Sequence, residues 1–336
     1  MKKKLSTMIV GFGKVSSYYD SKMGSFFPYQ NHFEVIKNHP KFELTAIIDK
    51  SEKVRRKVKK QFKVPIVLKS INQLSKDYIP DIVVISTKPE SKYRVIKNLR
   101  VGKAILLEKP VGKDLKDSMK IFEKCKDLGV LVQVNLLRRA DKTEFLQKKN
   151  LLKFLGKIQF VNVVYGNGIK NNGVHIIDFL RLILGEVQSV RSFSNISSCK
   201  HAKSKNDFDI FCKLNFEKNI SVIMSPINFN FYRDIIIDIW GNKGRVEIFQ
   251  EGLFVRKSKI NDHRAIENYK EISIDSSEII KTKLGTGYYN IYDNLYDAIV
   301  NRKKLVSSLD NTIQNEKVID AIIRCSFNKN KKIHIY

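Results

Sequence analysis

The sequence predicts an α/β region built as a doubly wound parallel sheet, followed by an α+β region whose sheet is mainly antiparallel. Two observations carry this. Up to about residue 130, continuous apolar runs rich in β-branched residues alternate with helix-like segments, the pattern of strands buried on both faces of a parallel sheet. Beyond it, strand-like segments follow one another through tight joints, as in an antiparallel sheet. At ~100–200 residues per domain, the 336 residues favour two domains, expected at 1–130 and 131–336.

Residues 5–10, LSTMIV, are the first apolar run and end in GFGKVSS; FELTAIIDK (42–50), DIVVIST (81–87) and AILLEKP (104–110) are the next three. Residues 51–62, 90–101 and 114–128 read as helices, as does the segment carrying NHFEVIKNH. VLVQVNLL (130–137) either completes this sheet or leads out of it. The second region reads as the strands IQFVNVVYG, VQSVRSFSNI, FDIFCKLNFE, NISVIMSPI, RDIIIDIWG and GRVEIFQE, with hairpin joints at Glu217–Asn219 and at GNKG (241–244). One helix interrupts them: in NGIKNNGVHIID (167–178) an asparagine N-cap opens a nearly all-round apolar helix that Gly185 closes. Helices over about 288–302 and 311–326 are expected to pack back on the body, and KKIHIY to form a last strand.

The net charge of +28 raises a nucleic-acid reading, since basic proteins gain affinity for polyanions by counterion release. The lysines, however, are spread along the whole chain, and the richness in Asn, Ile, Tyr and Phe points to A/T-rich codon usage; no nucleic-acid motif accompanies them. A generally basic solvated surface is expected, with no nucleic-acid partner. Cys125, Cys199, Cys212 and Cys325 lack CxxC or metal spacing, and no apolar segment after Met1–Lys4 is long enough for a signal peptide or membrane span. A cytoplasmic location without membrane insertion follows as the expectation. His32, His39, His263 and His334 show no metal spacing, so no metal is expected, and SSCKHAKSKND, with His201, reads as a solvated loop.

VGFGKVSS reads as a strand followed by a tight Gly-x-Gly turn. Gly11 and Gly13 let the backbone turn sharply and approach a pyrophosphate, with Lys14 and Val15 beside it; the third glycine of GxGxxG is replaced by the small Ser16. Asp49, at the end of the next apolar run, is placed to accept hydrogen bonds from ribose hydroxyls, which favours NAD. Lys50, Ser51, Arg55 and Arg56 follow it, so a ribose 2′-phosphate, and with it NADP, stays open.

LLEKPVGK (106–113) is the most specific string. A Glu-Lys-Pro after a buried strand resembles the signature of the Gfo/Idh/MocA oxidoreductase family, which includes glucose-fructose oxidoreductase and inositol dehydrogenases. The Gly-x-Gly turn, IID, ISTKPES, EKP, VQVNLLRRAD, GVHIIDFLRLILGE, DIWGNKGRVEIF and DAIIRCSFNKNKKIHI follow the order found in that family over essentially the whole chain. The resemblance implies a Rossmann domain, a second domain with a large open antiparallel sheet that often makes a homo-oligomer interface, and NAD(P)-dependent hydride transfer at a ring carbon of a sugar or cyclitol. It places Thr87 and Pro89 beside the cofactor and Glu108 and Lys109 near the nicotinamide. Where many members have a histidine after the Thr-x-Pro turn, this chain has Lys92. The string around NGIKNNGVHIID resembles members in surface-polysaccharide and nucleotide-sugar pathways, so a small-molecule sugar is the expected partner.

Oxidising a secondary alcohol needs a base for the hydroxyl proton, and an unperturbed pKa of ~6.5 suits histidine to the task. His175 is the expected proton carrier, with Lys109 hydrogen-bonding the same oxygen. The family's usual aspartate four residues before the histidine is Asn171 here. Three readings stay open: Asn171 orients the imidazole through its carbonyl, Lys109 takes over proton transfer, or catalysis has been lost. Asp178 is read as structural. Arg138 is a substrate candidate along with Arg139, against an interdomain salt bridge, and Tyr165 and Asn172 are weaker substrate candidates.

Overall fold

The computed structural model describes residues 3–13, 16, 24–193, 207–328 and 331–335. The chain divides into two units, Met1–Ala140 with Gly285–Glu316 and Asp141–Leu284 with Lys317–Tyr336. Among the described residues the α-helices are, in chain order, α1 (His32–Asn38), α2 (Glu52–Gln61), α3 (Pro89–Lys97), α4 (Leu115–Leu128), α5 (Lys148–Leu155), α6 (Val174–Leu184), α7 (Gly287–Asn301) and α8 (Leu309–Phe327).

In the first unit the apolar runs become β1 (Leu5–Val10), β2 (Phe42–Ile48), β3 (Ile66–Leu68), β4 (Ile82–Ile85), β5 (Ala104–Leu107) and β6 (Leu131–Val134). They form an all-parallel sheet in the order β3-β2-β1-β4-β5-β6. Alternate side chains enter two different cores. Leu5 and Ile9 meet Val35 and Ile36 of α1 and Ile291 and Leu295 of α7, while Met8 and Val10 meet Ile96 of α3 and Ile121 and Cys125 of α4. Each such burial contributes about 1.5–3 kcal/mol, which is why both faces of these strands read as apolar. β6 completes the sheet, and the first stretch of this unit runs to Ala140.

The second unit is built on a nine-stranded sheet of β7 (Ile158–Tyr165), β8 (Val187–Ser192), β9 (Cys212–Phe216), β10 (Ser221–Pro226), β11 (Ile236–Gly241), β12 (Gly244–Phe249), β13 (Phe254–Asp262), β14 (Lys270–Lys281) and β15 (Ile333–His334). The order is β14-β13-β12-β11-β7-β10-β9-β8-β15. The hairpin joints at 217–219 and 241–244 and the final strand are as expected. The sheet is mixed, because β7 inserts between β11 and β10 and runs parallel to β10. The β13–β14 hairpin and α5 were not anticipated.

Inward residues of this sheet, among them Val161, Val163, Val222, Met224, Ile237 and Ile239, share one core with Ile176, Ile177, Leu180 and Ile183 of α6. Their neighbours along the strands alternate to the other face. There Asp238 accepts both Arg245 Nε (2.9 Å) and Nη2 (3.0 Å) and the Trp240 indole N–H (2.9 Å), and the Arg245 guanidinium lies 4.2 Å from the Trp240 ring centre. Among the described residues no helix is long and apolar enough to cross a membrane, and no cluster of three His, Cys, Asp or Glu side chains is placed to hold a metal ion.

Candidate active site

The strand order of the parallel sheet reverses between β1 and β4, the point in such sheets where the crevice for a ligand opens beyond the strand ends. Gly11 follows β1 with φ +88°, and a Cβ there would stand 3.0 Å from both Thr87 Cγ2 and Thr87 N. Only glycine takes this conformation and approach without strain. The Gly11 carbonyl accepts Ser16 Oγ (2.9 Å) and Ser86 Oγ (2.5 Å), and the two hydroxyls touch each other. Ser16 thus ties the turn to the end of β4, a use of the third GxGxxG position that glycine lacks. Among the described residues, a Cβ at Gly13 would meet nothing within 4 Å and the buried Thr87 Oγ1 has no hydrogen-bond partner.

Asp49, just past β2, accepts Phe12 N (2.7 Å) on Oδ2 and Ser51 N (2.7 Å) on Oδ1. A carboxylate has about four lone-pair directions, so acceptor capacity remains for hydroxyls. Room beside the Gly13 Cα, a Thr87 hydroxyl without a partner among the described residues and a carboxylate fixed beside the turn fit a dinucleotide. Pro89 opens α3 at its first turn, where its missing N–H costs nothing. Lys14 and Val15 lie outside the described residues.

Glu108 and Lys109 follow β5, and the Lys109–Pro110 peptide is cis. Glu108 is 8% exposed. Its Oε1 contacts His32 Nε2 (2.9 Å), accepts Asn135 Nδ2 (2.6 Å) and lies 3.5 Å from the Tyr288 hydroxyl; His32 Nδ1 is 2.9 Å from the Tyr292 hydroxyl. Burial pushes the Glu108 carboxyl up, but the bonds from His32 and Asn135 and the charge of Lys109 outweigh it and hold it below the ordinary value. Burial raises the Tyr292 hydroxyl well above the usual range.

Lys92, fully buried, sends its ammonium to the carbonyls of Glu108 and Pro110, on either side of Lys109. Burial lowers its pKa to about 8 against the opposing charges of Glu108 and Glu316, with Lys109 adding to the lowering. Glu316 Oε1 in turn accepts Val111 N (3.1 Å). The turn carrying Lys109 is therefore held on both sides, and Lys109 itself is half-buried. His32, set aside in the sequence as a histidine without metal spacing, is the residue whose role there was missed.

In the second unit the histidine helix does not begin on an asparagine cap. A π-helical turn, Ile169–Gly173, precedes α6; the N–H groups of residues 168–171 are taken by a segment far along the chain, and those of Asn172 and Gly173 by Gly168 O. Gly168 N donates to Asp209 Oδ1 (2.7 Å), Ile169 N to Phe208 O (2.8 Å), Lys170 N to Asp207 Oδ1 (2.9 Å) and Asn171 N to Asp207 Oδ2 (3.0 Å). Asn172 instead turns its amide back to Gly166 O (2.9 Å). Asp207, the last residue of SSCKHAKSKND, is buried rather than solvated, and burial raises its carboxyl pKa against the bonds from Lys170, Phe208 and Asn171. The described part of that string is Asp207 alone; Cys199 and His201 lie outside the described residues. His175, half-buried, stands in the first turn of α6, and Asp178 faces the core at 1% exposure.

A family model described as "Oxidoreductase family, NAD-binding Rossmann fold" matches residues 7–136, and one described as "Oxidoreductase family, C-terminal alpha/beta domain" matches residues 169–335. The chain belongs to the Gfo/Idh/MocA oxidoreductase family. It is 26% identical over 262 residues to scyllo-inositol 2-dehydrogenase (NAD(+)) of Bacillus subtilis, spanning 72% of this chain and 74% of that one. It is 28% identical over 148 residues to inositol 2-dehydrogenase of Rhodococcus erythropolis, but that match spans 39% of this chain and 42% of that one. Among solved structures it is similar to the WlbA dehydrogenase of Bordetella pertussis in complex with NADH and UDP-GlcNAcA (17% identity, TM-score 0.73, 99% of each chain covered). It is also similar to the transcriptional regulator Gal80p of Kluyveromyces lactis (17% identity, TM-score 0.77, 99% of this chain and 91% of that one). At these identities the structural likeness establishes the fold.

Against the Gfo/Idh/MocA pattern, the two arginines Arg138 and Arg139 lie on a short 3-10 turn after β6, both half-buried. Tyr165 is corrected: it is 0% exposed, and its hydroxyl donates to Ile210 O and accepts from Ile210 N, each at 2.7 Å. Its hydroxyl closes the core of the second unit, where alternation along β7 points it inward, and does not face a substrate.

Proposed function

We propose that the chain is an NAD-dependent dehydrogenase acting on a ring CH–OH of a cyclic polyol or sugar, a nucleotide sugar above all, in surface-polysaccharide or nucleotide-sugar metabolism in the cytoplasm. The observation that carries it is the Glu108–Lys109–Pro110 turn after β5, gripped by Lys92 and by the His32–Glu108–Asn135 network. When bound, the nicotinamide supplies the hydride acceptor. Gly11 and Gly13 give the pyrophosphate room, Thr87 offers its hydroxyl, and Asp49 receives the ribose hydroxyls. Lys109 hydrogen-bonds the reacting oxygen, and His175 accepts its proton. A sugar hydroxyl or phosphate meets Arg138. NAD rather than NADP is supported by the cations near Asp49: Arg55 donates to the carbonyls of Asp49 and Lys50, and Arg56 pairs with Glu52.

The open face of the nine-stranded sheet is the surface we assign to a homo-oligomer. Phe160 and Trp240 are 39% and 38% exposed there, around the Asp238–Arg245 pair, an apolar and polar mix suited to a specific contact. A second reading, a non-catalytic dinucleotide-binding sensor, is favoured by one residue: the neutral Asn171 leaves no charge at its own position to offset an imidazolium. One experiment separates the two readings. The purified protein is incubated with NAD+ and a panel of inositols and UDP-sugars, NADH is followed by absorbance, and bound cofactor by native mass spectrometry. Turnover supports the dehydrogenase; tight cofactor binding without NADH formation across the panel overturns it in favour of the sensor.

A further inference from the structure

Four successive backbone N–H groups at a helix start have no partners inside the helix, and they are usually met by water or by a cap next in sequence. Here those of Gly168, Ile169, Lys170 and Asn171 are all met by residues 207–209, at 2.7, 2.8, 2.9 and 3.0 Å. Two buried carboxylates do most of this, Asp207 and Asp209, each 6% exposed. Asp207 uses both oxygens on the turn, one for Lys170 and one for Asn171, and shares the first with its own neighbour, Phe208 N at 2.9 Å. The fit is close. At Gly168, where φ is +93°, a Cβ would stand 1.9 Å from Asp207 Oδ2, so the carboxylate seats only because that residue is glycine.

Packing alone does not require this arrangement. A buried carboxylate is costly unless each oxygen is hydrogen-bonded, and a neutral acceptor would satisfy one N–H at lower cost. What the carboxylate adds is two acceptors in one rigid plane, which fixes the peptides of residues 170 and 171 together. A negative group at a helix N-terminus is also favoured by the helix dipole. Residue 171 and His175 lie about one turn apart, so fixing that peptide fixes where the helix begins and from which angle the imidazole leaves it.

We infer that Asp207 is a positioning residue for His175, acting through the turn 168–171 as a clamp built from a remote loop. The inference rests on the assignment of His175 as proton carrier, but its first test needs no substrate. With six histidines in the chain, the imidazole signals are resolvable by nitrogen-correlated NMR, and His175→Gln assigns the one of interest. In Asp207→Ala the His175 signal is expected to shift or broaden while those of His32 and His263 stay in place. In Asp207→Asn, which keeps one acceptor, the change is smaller. An unmoved His175 signal in either variant, with the other signals native, overturns the inference. Should Asp207→Ala not fold, Asp207→Asn is read by the same spectrum, and hydrogen exchange on the unaltered protein gives a second reading. Amides 168–171 protected alongside α6 support the clamp, and exchange at free-loop rates overturns it.

If the substrate panel gives turnover, Asp207→Asn is expected to lower kcat at least tenfold with NAD+ affinity unchanged, since the residues that receive NAD lie in the other unit. A protein inactive on every substrate sinks the dehydrogenase reading and leaves the NMR and exchange tests of the clamp standing.

Discussion

Replacing Lys92 by methionine is expected to leave the protein about as stable at pH 7 and to change how its stability responds to alkali. Burial brings the Lys92 ammonium from the ordinary 10.5 to about 8. At about 1.4 kcal/mol per pH unit, keeping it charged in the fold costs about 3 kcal/mol. Methionine removes that cost but leaves the carbonyls of Glu108 and Pro110 without their donor, at about 1–3 kcal/mol each. The two effects oppose each other, so the net change at pH 7 is expected within about 2–3 kcal/mol of zero. The pH response separates them. Between pH 8 and 10.5 the folded lysine has lost its proton while the unfolded one keeps it, so the unfolded state binds more protons and native stability rises with pH. Relative to Lys92→Met, the natural protein should gain about 2–3 kcal/mol on going from pH 7 to pH 10. Urea unfolding of both proteins at the two pH values measures this double difference. Equal responses would refute the claim that a buried ammonium holds the turn. Turnover of Lys92→Met should also fall, by about a hundredfold if Lys109 is displaced by as much as 1 Å.

Three further outcomes are expected. Asn171→Asp places a second carboxylate on the peptide already bonded to Asp207; a raised rate shows that residue 171 retunes the base, and a dead enzyme before and after shows that catalysis is gone. Asp49→Ala removes the acceptor of Phe12 N as well as the ribose contact, so NAD+ affinity measured by calorimetry should fall at least tenfold, about 1.4 kcal/mol; unchanged affinity would remove Asp49 from the site. Trp240→Asp puts like charge beside Asp238 on the open sheet face, and light scattering should show the oligomer dissociating to smaller species; an unchanged mass would exclude this face as the interface.

How much of this was legible in the sequence follows from where each partner lies. β4 and β5 are buried along their whole length and β1 and β2 over their last three residues, so their apolar runs locate the dinucleotide end directly. β13 and β14 went unread because they lie at an edge of the second sheet, with charged and polar residues throughout FVRKSKIND and KEISIDSSEIIK that break the alternation. The start of the histidine helix was misread for a different reason. Two adjacent asparagines are the local signal for a cap, but the acceptors that take the turn lie 36 to 41 residues away, beyond the reach of any local rule. The same holds for His32, whose partner Glu108 is 76 residues on, and for Lys92, whose role appears only once β5 places two carbonyls within its reach. Tyr165 shows the reverse: a polar tip on a strand invites a substrate reading, but inward alternation along β7 and the backbone of Ile210 claim it.

The central claim is that Lys109 and His175 serve hydride transfer from a ring alcohol to NAD. Its most direct measurement is NADH formation at saturating NAD+ by the natural protein, Lys109→Met and His175→Gln, on the inositol or UDP-sugar that the natural protein oxidises fastest, with NAD+ affinity measured on each. The expected result is turnover by the natural protein, a loss of at least a thousandfold in kcat in either variant, about 4 kcal/mol, and NAD+ affinity within about threefold throughout. Full activity in both variants would contradict the account.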